Sequence, residues 1–277
     1  MDAKFVSING KIVARSEAVL PVDHIEFTYG FGVYENIRLR NGALYFTKAH
    51  IERLLHSAQV IGLAHPFSFE HIQQWIVELV KKNSIKSSNI KILLVGGAEP
   101  LLYILSLAPR FVEKKIYKTG VKAISAQYER FLPQAKTLNM LPSYILYKKA
   151  TQAGAYDTIL YDNECFMHEG TRSNIFFVKN DTLYTPPAEK ILLGVTRHGV
   201  IECAKKHDIK VNETHIPFAG IKEYDGAFFT NTSGKIVPIR VIDEFEFNGV
   251  CELIQTLIPL FNEYIEKNAE PVLNVQL

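Results

Sequence analysis

Two short runs of the sequence combine a turn with groups that can hold an anion. In LLGVTRHGV, Gly194 precedes Val195 and Thr196 at the start of an amphipathic helix. The first N–H groups of a helix are unpaired and lie at the positive end of its dipole, so a phosphate can bind there. A second hydroxyl-rich turn, TNTSGK, carries Thr232 and Ser233. Taken alone, the local sequence favours a plain glycine turn in the first run, with Thr196 as the helix N-cap, and the second turn is open to the same two interpretations.

Metal-dependent and serine-nucleophile chemistry find no support. The histidine pairs His50/His56 and His65/His71 are each six residues apart, which does not place two imidazoles on one helical face. The chain has no HExxH, GxSxG or P-loop motif, and the GxG of YGFGVYE lacks the third glycine of a dinucleotide fingerprint. We therefore predict no metal site.

The order and spacing of several longer runs resemble one enzyme family. EGTRSNIFF, LYTPP and LLGVTR follow one another as in the class IV pyridoxal-phosphate aminotransferases, where a glutamate, an asparagine five residues later and a G-[VI]-T-R phosphate loop keep this spacing. YGFGVYENIR, HIERL and KTLN match earlier family segments in the same order. The resemblance covers nearly the whole chain and implies pyridoxal 5'-phosphate as the cofactor.

The resemblance also assigns the catalytic roles. Lys136 of KTLN is expected to form the Schiff base with the cofactor aldehyde and then to move the substrate α-proton. Glu169 is expected to contact the pyridine nitrogen, which keeps the ring an electron sink. Tyr34 is expected near the active site, where its phenol can orient the substrate or the lysine. Taken alone, Lys136 would read as a solvated loop lysine and Glu169 as a turn-exposed carboxylate.

The phosphate of the cofactor is assigned to a further group of residues. The resemblance implies that Arg53 binds it as a charge-assisted donor, with contacts from Val195 and Thr196 and a hydroxyl from Thr232 or Ser233. Helical phasing alone turns Arg53 away from the apolar stripe of its helix, so the residue pattern by itself predicts a solvent-facing arginine.

Substrate signals conflict. KTLNML is similar to the D-amino-acid aminotransferase and 4-amino-4-deoxychorismate lyase branches of the family, whereas ENIR, with Arg38, is similar to the branched-chain branch. The Arg-x-His carboxylate trap typical of the D-amino-acid enzymes is missing after KILLVGGAEP, as is the arginine common in the lyases. Lys91 and Arg38 are the nearest basic candidates for binding the substrate carboxylate, together with Tyr34.

Three functions follow from these signals. We expect an aminotransferase of amino-acid metabolism that passes the amino group to a 2-keto acid. The alternative is a lyase of folate biosynthesis that releases pyruvate and 4-aminobenzoate from aminodeoxychorismate. A third, remote possibility is a homologue that keeps the fold without the reaction.

The pattern of elements predicts an α/β chain with mixed α+β sheets. Asn9-Gly10 and Asn41-Gly42 predict two hairpins. Helices are expected from Thr47 as N-cap, from Ser68 to Lys82, through LPSYILYKKATQA, after Gly194, and from about Val250 to Lys267. Apolar runs between them predict strands, including 91–95, 101–107, DTILYD and NIFFVK.

The domain prediction combines chain length with the resemblance. The 277 residues suffice for two domains. We place a small N-terminal α/β domain at 1–108, a linker at 109–120 and a larger cofactor-binding domain at 121–277. The resemblance implies a two-lobe D-amino-acid aminotransferase-like fold with the cofactor cleft between the lobes, and a homodimer.

Composition limits the partners and the compartment. With 47% hydrophobic residues and a net charge of +2, the chain has no charge excess for nucleic acid or anionic lipid, so we expect a small-molecule partner. Neither the first twenty residues nor the apolar run after Ile92 is typical of a signal peptide or a membrane span. The three cysteines are an odd number and include no CxxC pair, which is typical of a protein in a reducing compartment. We therefore expect a cytoplasmic protein.

Overall fold

The computed structural model describes residues 3–109 and 112–272, which form two compact units. The N-terminal unit takes in the described residues of Met1–Arg110, Ala135–Asn139 and Asn268–Leu277. The C-terminal unit takes in those of Phe111–Gln134 and Met140–Lys267. Strands are numbered β1–β17 and helices α1–α7 along the described chain.

A seven-stranded sheet organises the N-terminal unit in the order β17-β4-β3-β5-β6-β1-β2, with every neighbouring pair antiparallel. The predicted hairpin turns are confirmed, since Asn9-Gly10 and Asn41-Gly42 both adopt positive φ. The strands are β1 Phe5–Ile8, β2 Lys11–Ala14, β3 Gly32–Arg40, β4 Ala43–Tyr45, β5 Ser88–Val95, β6 Leu101–Leu107 and β17 Ala269–Pro271.

Two long helices cover one face of this sheet. α2 (Thr47–Val60) packs against β3, and α3 (Phe69–Asn83) packs against β1 and β6. Their apolar side chains form the core of the unit together with alternate residues of β3, β5 and β6. Ser68 caps α3 by accepting the N–H of His71, which confirms the predicted start. A third helix in the unit, α1, is a single turn at Ile25–Thr28.

The predicted N-cap of α2 is wrong. Thr47 is the first helical residue, and the residue before it, Phe46, is left-handed and provides no side-chain cap. The N–H of Thr47 instead donates to the carboxylate of Glu270, at 3.2 Å. Because Glu270 lies 223 residues away on β17, no local pattern predicts this cap.

The C-terminal unit is built on a mixed sheet whose main path is β12-β11-β10-β14-β15-β7-β8-β9-β13. β7 pairs in parallel with β8 and β15, and β11 pairs in parallel with β12, whereas the remaining pairs are antiparallel, which confirms the predicted mixed class. The strands are β7 Val121–Gln127, β8 Asp157–Tyr161, β9 Phe166–Gly170, β10 Asn174–Lys179, β11 Thr182–Thr185, β12 Val211–Glu213, β13 Ile216–Pro217, β14 Gly226–Asn231, β15 Lys235–Ile242 and β16 Phe245–Glu246.

One additional pairing closes this sheet on itself. Asn174 of β10 pairs with Glu169 of β9, so the path from β10 through β14, β15, β7 and β8 returns to β9. The helices of the unit are α4 Ile116–Thr119, α5 Leu141–Gln152, α6 Val195–Lys206 and α7 Glu252–Lys267. The closure places the glutamate and the asparagine of the family signature side by side.

The two units differ from the predicted ranges in two places. Ala135–Asn139, predicted within 121–277, belongs to the N-terminal unit, as does the C-terminal segment with β17. Helix α4 lies inside the predicted linker 109–120 and packs against β15 in the C-terminal unit. In both cases hydrogen bonding across the fold overrides proximity along the chain.

No helix within the described ranges is long and apolar enough to cross a membrane. The cytoplasmic location stays a prediction.

Candidate active site

Lys136 is held by the backbone of the N-terminal unit. Its carbonyl accepts the N–H of Tyr34 at 3.0 Å, and its own N–H donates to the hydroxyl of Ser57 at 3.0 Å. Two residues further on, the N–H of Leu138 donates to the carbonyl of Gly32 at 2.8 Å. These bonds fix the segment against the start of β3, so Lys136 is half-buried and not a solvated loop lysine.

Tyr34 brings two lysines together. The Nζ of Lys136 lies 4.6 Å from the centroid of the Tyr34 ring, and the Nζ of Lys91 lies 5.5 Å from it. Both distances are in the range of cation–π attraction. Lys91 pairs with Asn36 across β3 and β5, and Arg38 follows two residues later on the same face of β3. The structure therefore gathers Lys136, Tyr34 and Lys91, with Arg38 further along that face.

The opposite face of β3 carries a charge that the sequence analysis missed. Glu35 is fully buried among apolar residues, where it accepts hydrogen bonds from Arg53 and His50 of α2. Nε of Arg53 lies 2.5 Å from Oε1 and Nη2 lies 2.9 Å from Oε2, a two-pronged ion pair. The solvent-facing position that phasing gives Arg53 is therefore wrong, since only 10% of its side chain is exposed.

The charges around Glu35 define its protonation. Burial by itself would raise the pKa of the Glu35 carboxyl, but the adjacent Arg53 and His50 hold that pKa far below its ordinary value. Burial lowers the pKa of His50, and the positive charges of Arg53 and Lys136 lower it further, against the opposing effect of Glu35. We therefore assign an ionised Glu35, a cationic Arg53 and a neutral His50 that donates from Nδ1.

In the C-terminal unit, Glu169 is buried, and hydrogen bonds to both of its carboxylate oxygens set its orientation. Its Oε1 accepts from Nη1 of Arg130 at 2.9 Å, and its Oε2 accepts the N–H of Leu192 at 3.1 Å. Nδ2 of Asn174 contacts the same Oε2 at 3.4 Å and donates to the carbonyl of Leu192 at 2.8 Å. The turn-exposed alternative is wrong for this carboxylate. Asn174 thus links the EGTRSN segment to the LLGVTR segment by hydrogen bonds.

Helix α6 begins at Val195, shortly after Leu192. Gly194 is its N-cap and has no side chain to satisfy the first N–H groups, and Val195 and Thr196 are the first two helical residues. The alternative of Thr196 as N-cap is wrong, because Thr196 lies inside the helix. Arg197, the last residue of GVTR, instead fastens the helix by donating to the carbonyl of Pro186 and the carboxylate of Glu213. The start of α6 keeps the donors and the dipole that an anion requires.

The second hydroxyl-rich turn joins β14 to β15. Thr232 and Ser233 are half-buried at its tip. Asn231 closes the turn by accepting the N–H of Gly234 at 2.6 Å, and it donates to the hydroxyl of Tyr156 at 3.0 Å. Tyr117, from the predicted linker, donates to the carbonyl of Gly234 at 3.0 Å. The turn that carries the Thr232 and Ser233 hydroxyls is therefore held in place by hydrogen bonds made by Asn231 and Tyr117.

The donor set fits pyridoxal 5'-phosphate. In the N-terminal unit, an amine on a fixed backbone suits the aldehyde. In the C-terminal unit, a buried and hydrogen-bonded carboxylate suits the ring nitrogen, and a helix start without a side-chain cap suits the phosphate. Within the described ranges no cluster of three or more His, Cys, Asp or Glu could hold a metal ion.

Comparison with known proteins identifies the family. A sequence model described as amino-transferase class IV matches residues 32–242. The chain belongs to this family, whose enzymes use pyridoxal 5'-phosphate.

Individual relatives carry two different substrate names. A Methanocaldococcus jannaschii protein that bears the name of a branched-chain-amino-acid aminotransferase is 31% identical, over 93% of this chain and 95% of the relative. The D-alanine aminotransferase of Listeria monocytogenes is 32% identical, over 86% of this chain and 87% of its own length. A branched-chain aminotransferase of Thermoproteus uzoniensis, solved with norvaline, superposes with a TM-score of 0.89 at 28% identity, over 97% of this chain and 99% of that one.

Proposed function

We propose that this chain transfers the amino group of an amino acid to a 2-keto acid by means of pyridoxal 5'-phosphate. The observation that carries the proposal is Lys136, whose backbone is bonded to Tyr34 and Ser57 while its Nζ contacts the Tyr34 ring. A lysine amine fixed in this way could bind the aldehyde carbon of the cofactor and, once the amino substrate has replaced it there, carry the substrate Cα proton to that same carbon.

The other residues bind and orient. When bound, the cofactor supplies an electron sink for the bond that breaks at the substrate Cα. Lys136 would hold the cofactor aldehyde through Nζ, and its amine, once freed by the substrate, would take the proton from Cα and give it to the former aldehyde carbon. Tyr34 would orient that amine. Glu169, directed by Arg130 and Asn174, accepts a hydrogen bond from the pyridine nitrogen.

We assign the phosphate to groups from the start of α6, from the turn between β14 and β15, and from α2. Val195 and Thr196 donate backbone N–H groups at the start of α6, and Thr232 or Ser233 adds a hydroxyl. Arg53 contributes a guanidinium whose plane is set by Glu35.

For the substrate carboxylate we propose Lys91, with Arg38 as the second candidate. Lys91 contacts the same Tyr34 ring as Lys136, so an anion held by its Nζ would share the Tyr34 side chain with the reacting amine. Lysine binds a carboxylate as a point charge, without the geometric selection that a guanidinium imposes.

The exposed apolar residues support a homodimer. Val22 and Tyr29 are 94% and 79% exposed, and Val19, Ile25 and Phe27 are also exposed in the same short segment. Large apolar side chains exposed in one short segment are typical of interaction sites. We propose that a second copy of the chain covers this segment.

A substrate panel tests the reaction. The holoenzyme is mixed with single amino acids and no acceptor, covering branched-chain L-amino acids and D-alanine, and the absorbance of the bound cofactor is followed. We expect at least one amino acid to convert the cofactor and a 2-keto acid to restore it, because transamination consists of these two half-reactions. Release of 4-aminobenzoate from aminodeoxychorismate, with no half-reaction from any amino acid, would contradict the proposal.

A further inference from the structure

Asp157 is a buried carboxylate that the proposed roles do not use. It is the first residue of β8 and has no exposed surface. Its Oδ1 accepts the N–H of Thr158 at 2.9 Å, the N–H of Thr171 at 3.2 Å and the Thr171 hydroxyl. Its Oδ2 accepts the Ser173 hydroxyl at 2.7 Å and the N–H of Arg172 at 3.4 Å. Five donors converge on one side chain.

Four of these donors belong to a single turn, residues 170–173. The turn leads from Glu169, next to last in β9, to Asn174, the first residue of β10. It is closed by the N–H of Gly170 donating to the carbonyl of Ser173 at 2.6 Å. A Cβ added to Gly170 would lie 2.2 Å from the Ser173 hydroxyl oxygen and 2.8 Å from Oδ2 of Asp157, so the turn wraps directly against the carboxylate.

The chemistry of the site favours a carboxylate over any neutral side chain. Burying an ionised carboxyl costs several kcal/mol unless its oxygens are well hydrogen-bonded. An ionised aspartate is also the smallest side chain that only accepts and offers about four lone-pair sites. Donors from Thr171, Arg172 and Ser173 need such an acceptor, and an amide in its place would present N–H groups to one of them.

We propose that Asp157 is a positioning residue, which sets the Glu169 carboxylate and the Asn174 amide through the 170–173 turn. This inference rests on the proposed function, because the contact of Glu169 with the cofactor is part of it. Asp157 acts through Glu169 and Asn174, the pair that closes the sheet, and touches no reacting atom itself.

Asp157→Asn is the direct test, with cofactor-loaded protein. The variant keeps the shape but turns an amide N–H₂ toward the N–H of Arg172, which cannot accept. We expect kcat to fall about 10- to 100-fold, as displaced catalytic groups do, while KM for the amino donor changes less than about threefold. The absorbance band of the bound cofactor should move in the same direction as in Glu169→Gln. In the double variant the two effects should not multiply, because both act on one contact.

A matched control separates positioning from stability. Asp162 is also buried and accepts two backbone N–H groups and His168, but at the far end of the β8–β9 hairpin. Asp162→Asn should lower Tm and leave the cofactor band in place. If Asp157→Asn does not fold, Thr171→Val removes one hydroxyl donor from the same carboxylate and should shift the band to a smaller extent.

The outcomes are distinct. A folded Asp157→Asn or Thr171→Val with the wild-type band and kcat would overturn the inference and leave the proposed function standing, as would effects of Asp157→Asn and Glu169→Gln that multiply. A wild-type protein that takes up no cofactor would overturn the proposed function and this inference together.

Discussion

At the scale of residues, Glu35 shows how a charge is retained in an apolar core. The strand residues around it, Val33, Ile37 and Leu39, belong to the core cluster, and Glu35 shares their face of β3. A buried carboxylate is tolerated only with a close cation and full hydrogen bonding, and Arg53 and His50 provide both. The same ion pair sets the orientation of the arginine that we assign to the phosphate.

Arg53→Met tests this pair through folding of the cofactor-free protein. Loss of the cation leaves Glu35 buried beside a neutral histidine, and breaking such a pair costs about 3–5 kcal/mol of unfolding free energy. Lys48→Met, which removes an exposed ion pair with Glu52 on the same helix, should cost no more than ~1 kcal/mol. Urea unfolding near neutral pH measures both, and equal losses in the two variants would contradict the account.

The pH dependence of Arg53→Met follows from the same charges. In the wild type the lowered pKa of Glu35 stabilises the fold fully above the ordinary value of 4.5, and this contribution is lost as the pH falls below it. In Arg53→Met, burial is opposed only by His50, so the pKa of Glu35 rises and the folded variant takes up a proton at a higher pH than the wild type does. The loss of unfolding free energy in the variant, relative to the wild type, should therefore become smaller in mild acid. A loss that becomes larger there would show that Arg53 does not hold Glu35 ionised.

Few of these contacts could be predicted from the sequence. The family motifs identify Lys136 and Glu169, whereas their local surroundings suggest solvated charges. Glu35 follows strand alternation and looks misplaced, because its partners lie 15 and 18 residues later on α2. These roles depend on burial and on charge pairing between residues of different elements, and neither can be inferred from a short stretch of sequence.

At the scale of elements, the start of α6 depends on an exact fit between a glycine and an asparagine. A Cβ on Gly194 would lie 1.9 Å from Oδ1 of Asn174, although the backbone there is ordinary, with φ of −65°. Close approach, and not an unusual φ, is what requires glycine at this position. The fit places the uncapped helix start beside the asparagine that also contacts Glu169.

Gly194→Ala should therefore weaken the cofactor site. The added methyl group must displace Asn174 or the turn, and overpacking of this kind costs about 1–3 kcal/mol. We expect weaker binding of pyridoxal 5'-phosphate to the cofactor-free protein, measured by absorbance titration. Gly220→Ala is the matched control in the same unit, since its nearest neighbour would be 3.4 Å away, and it should bind the cofactor as the wild type does. Equal affinity in both variants would contradict the role of this fit.

Elements with strong local signals could be predicted well. The two Asn-Gly hairpins and the Ser68-capped helix depend on contacts within a few residues, and the structure has them. Strands β12 and β13 and the C-terminal β17 are two or three residues long and form through pairing with distant strands, so periodicity could not predict them.

At the scale of the whole molecule, the chain crosses between the two units more than once. Ala135–Asn139 returns to the N-terminal unit through bonds to β3, and β17 pairs with β4. A single boundary near the predicted linker accounts for most residues but leaves Lys136 in the wrong unit. Composition and linker signals cannot reveal such returns, because the returning segments are only a few residues long.

The proposed homodimer gives a prediction at this scale. Light scattering at micromolar concentration should give twice the 31.4 kDa of one chain. Val22→Asp should weaken the dimer, because it places a charge in the apolar segment that the second copy covers. Asn212→Asp, an exposed change on β12, should leave the mass unchanged. A monomeric wild type would contradict the dimer.

Borohydride reduction shows whether Lys136 is the residue that carries the cofactor. Wild-type protein loaded with pyridoxal 5'-phosphate should lose its yellow colour on reduction and carry the cofactor mass on the peptide that contains Lys136. Lys91→Ala should still be labelled there, and Lys136→Ala should carry no label. A cofactor mass on Lys91, or an unlabelled wild type, would contradict the account.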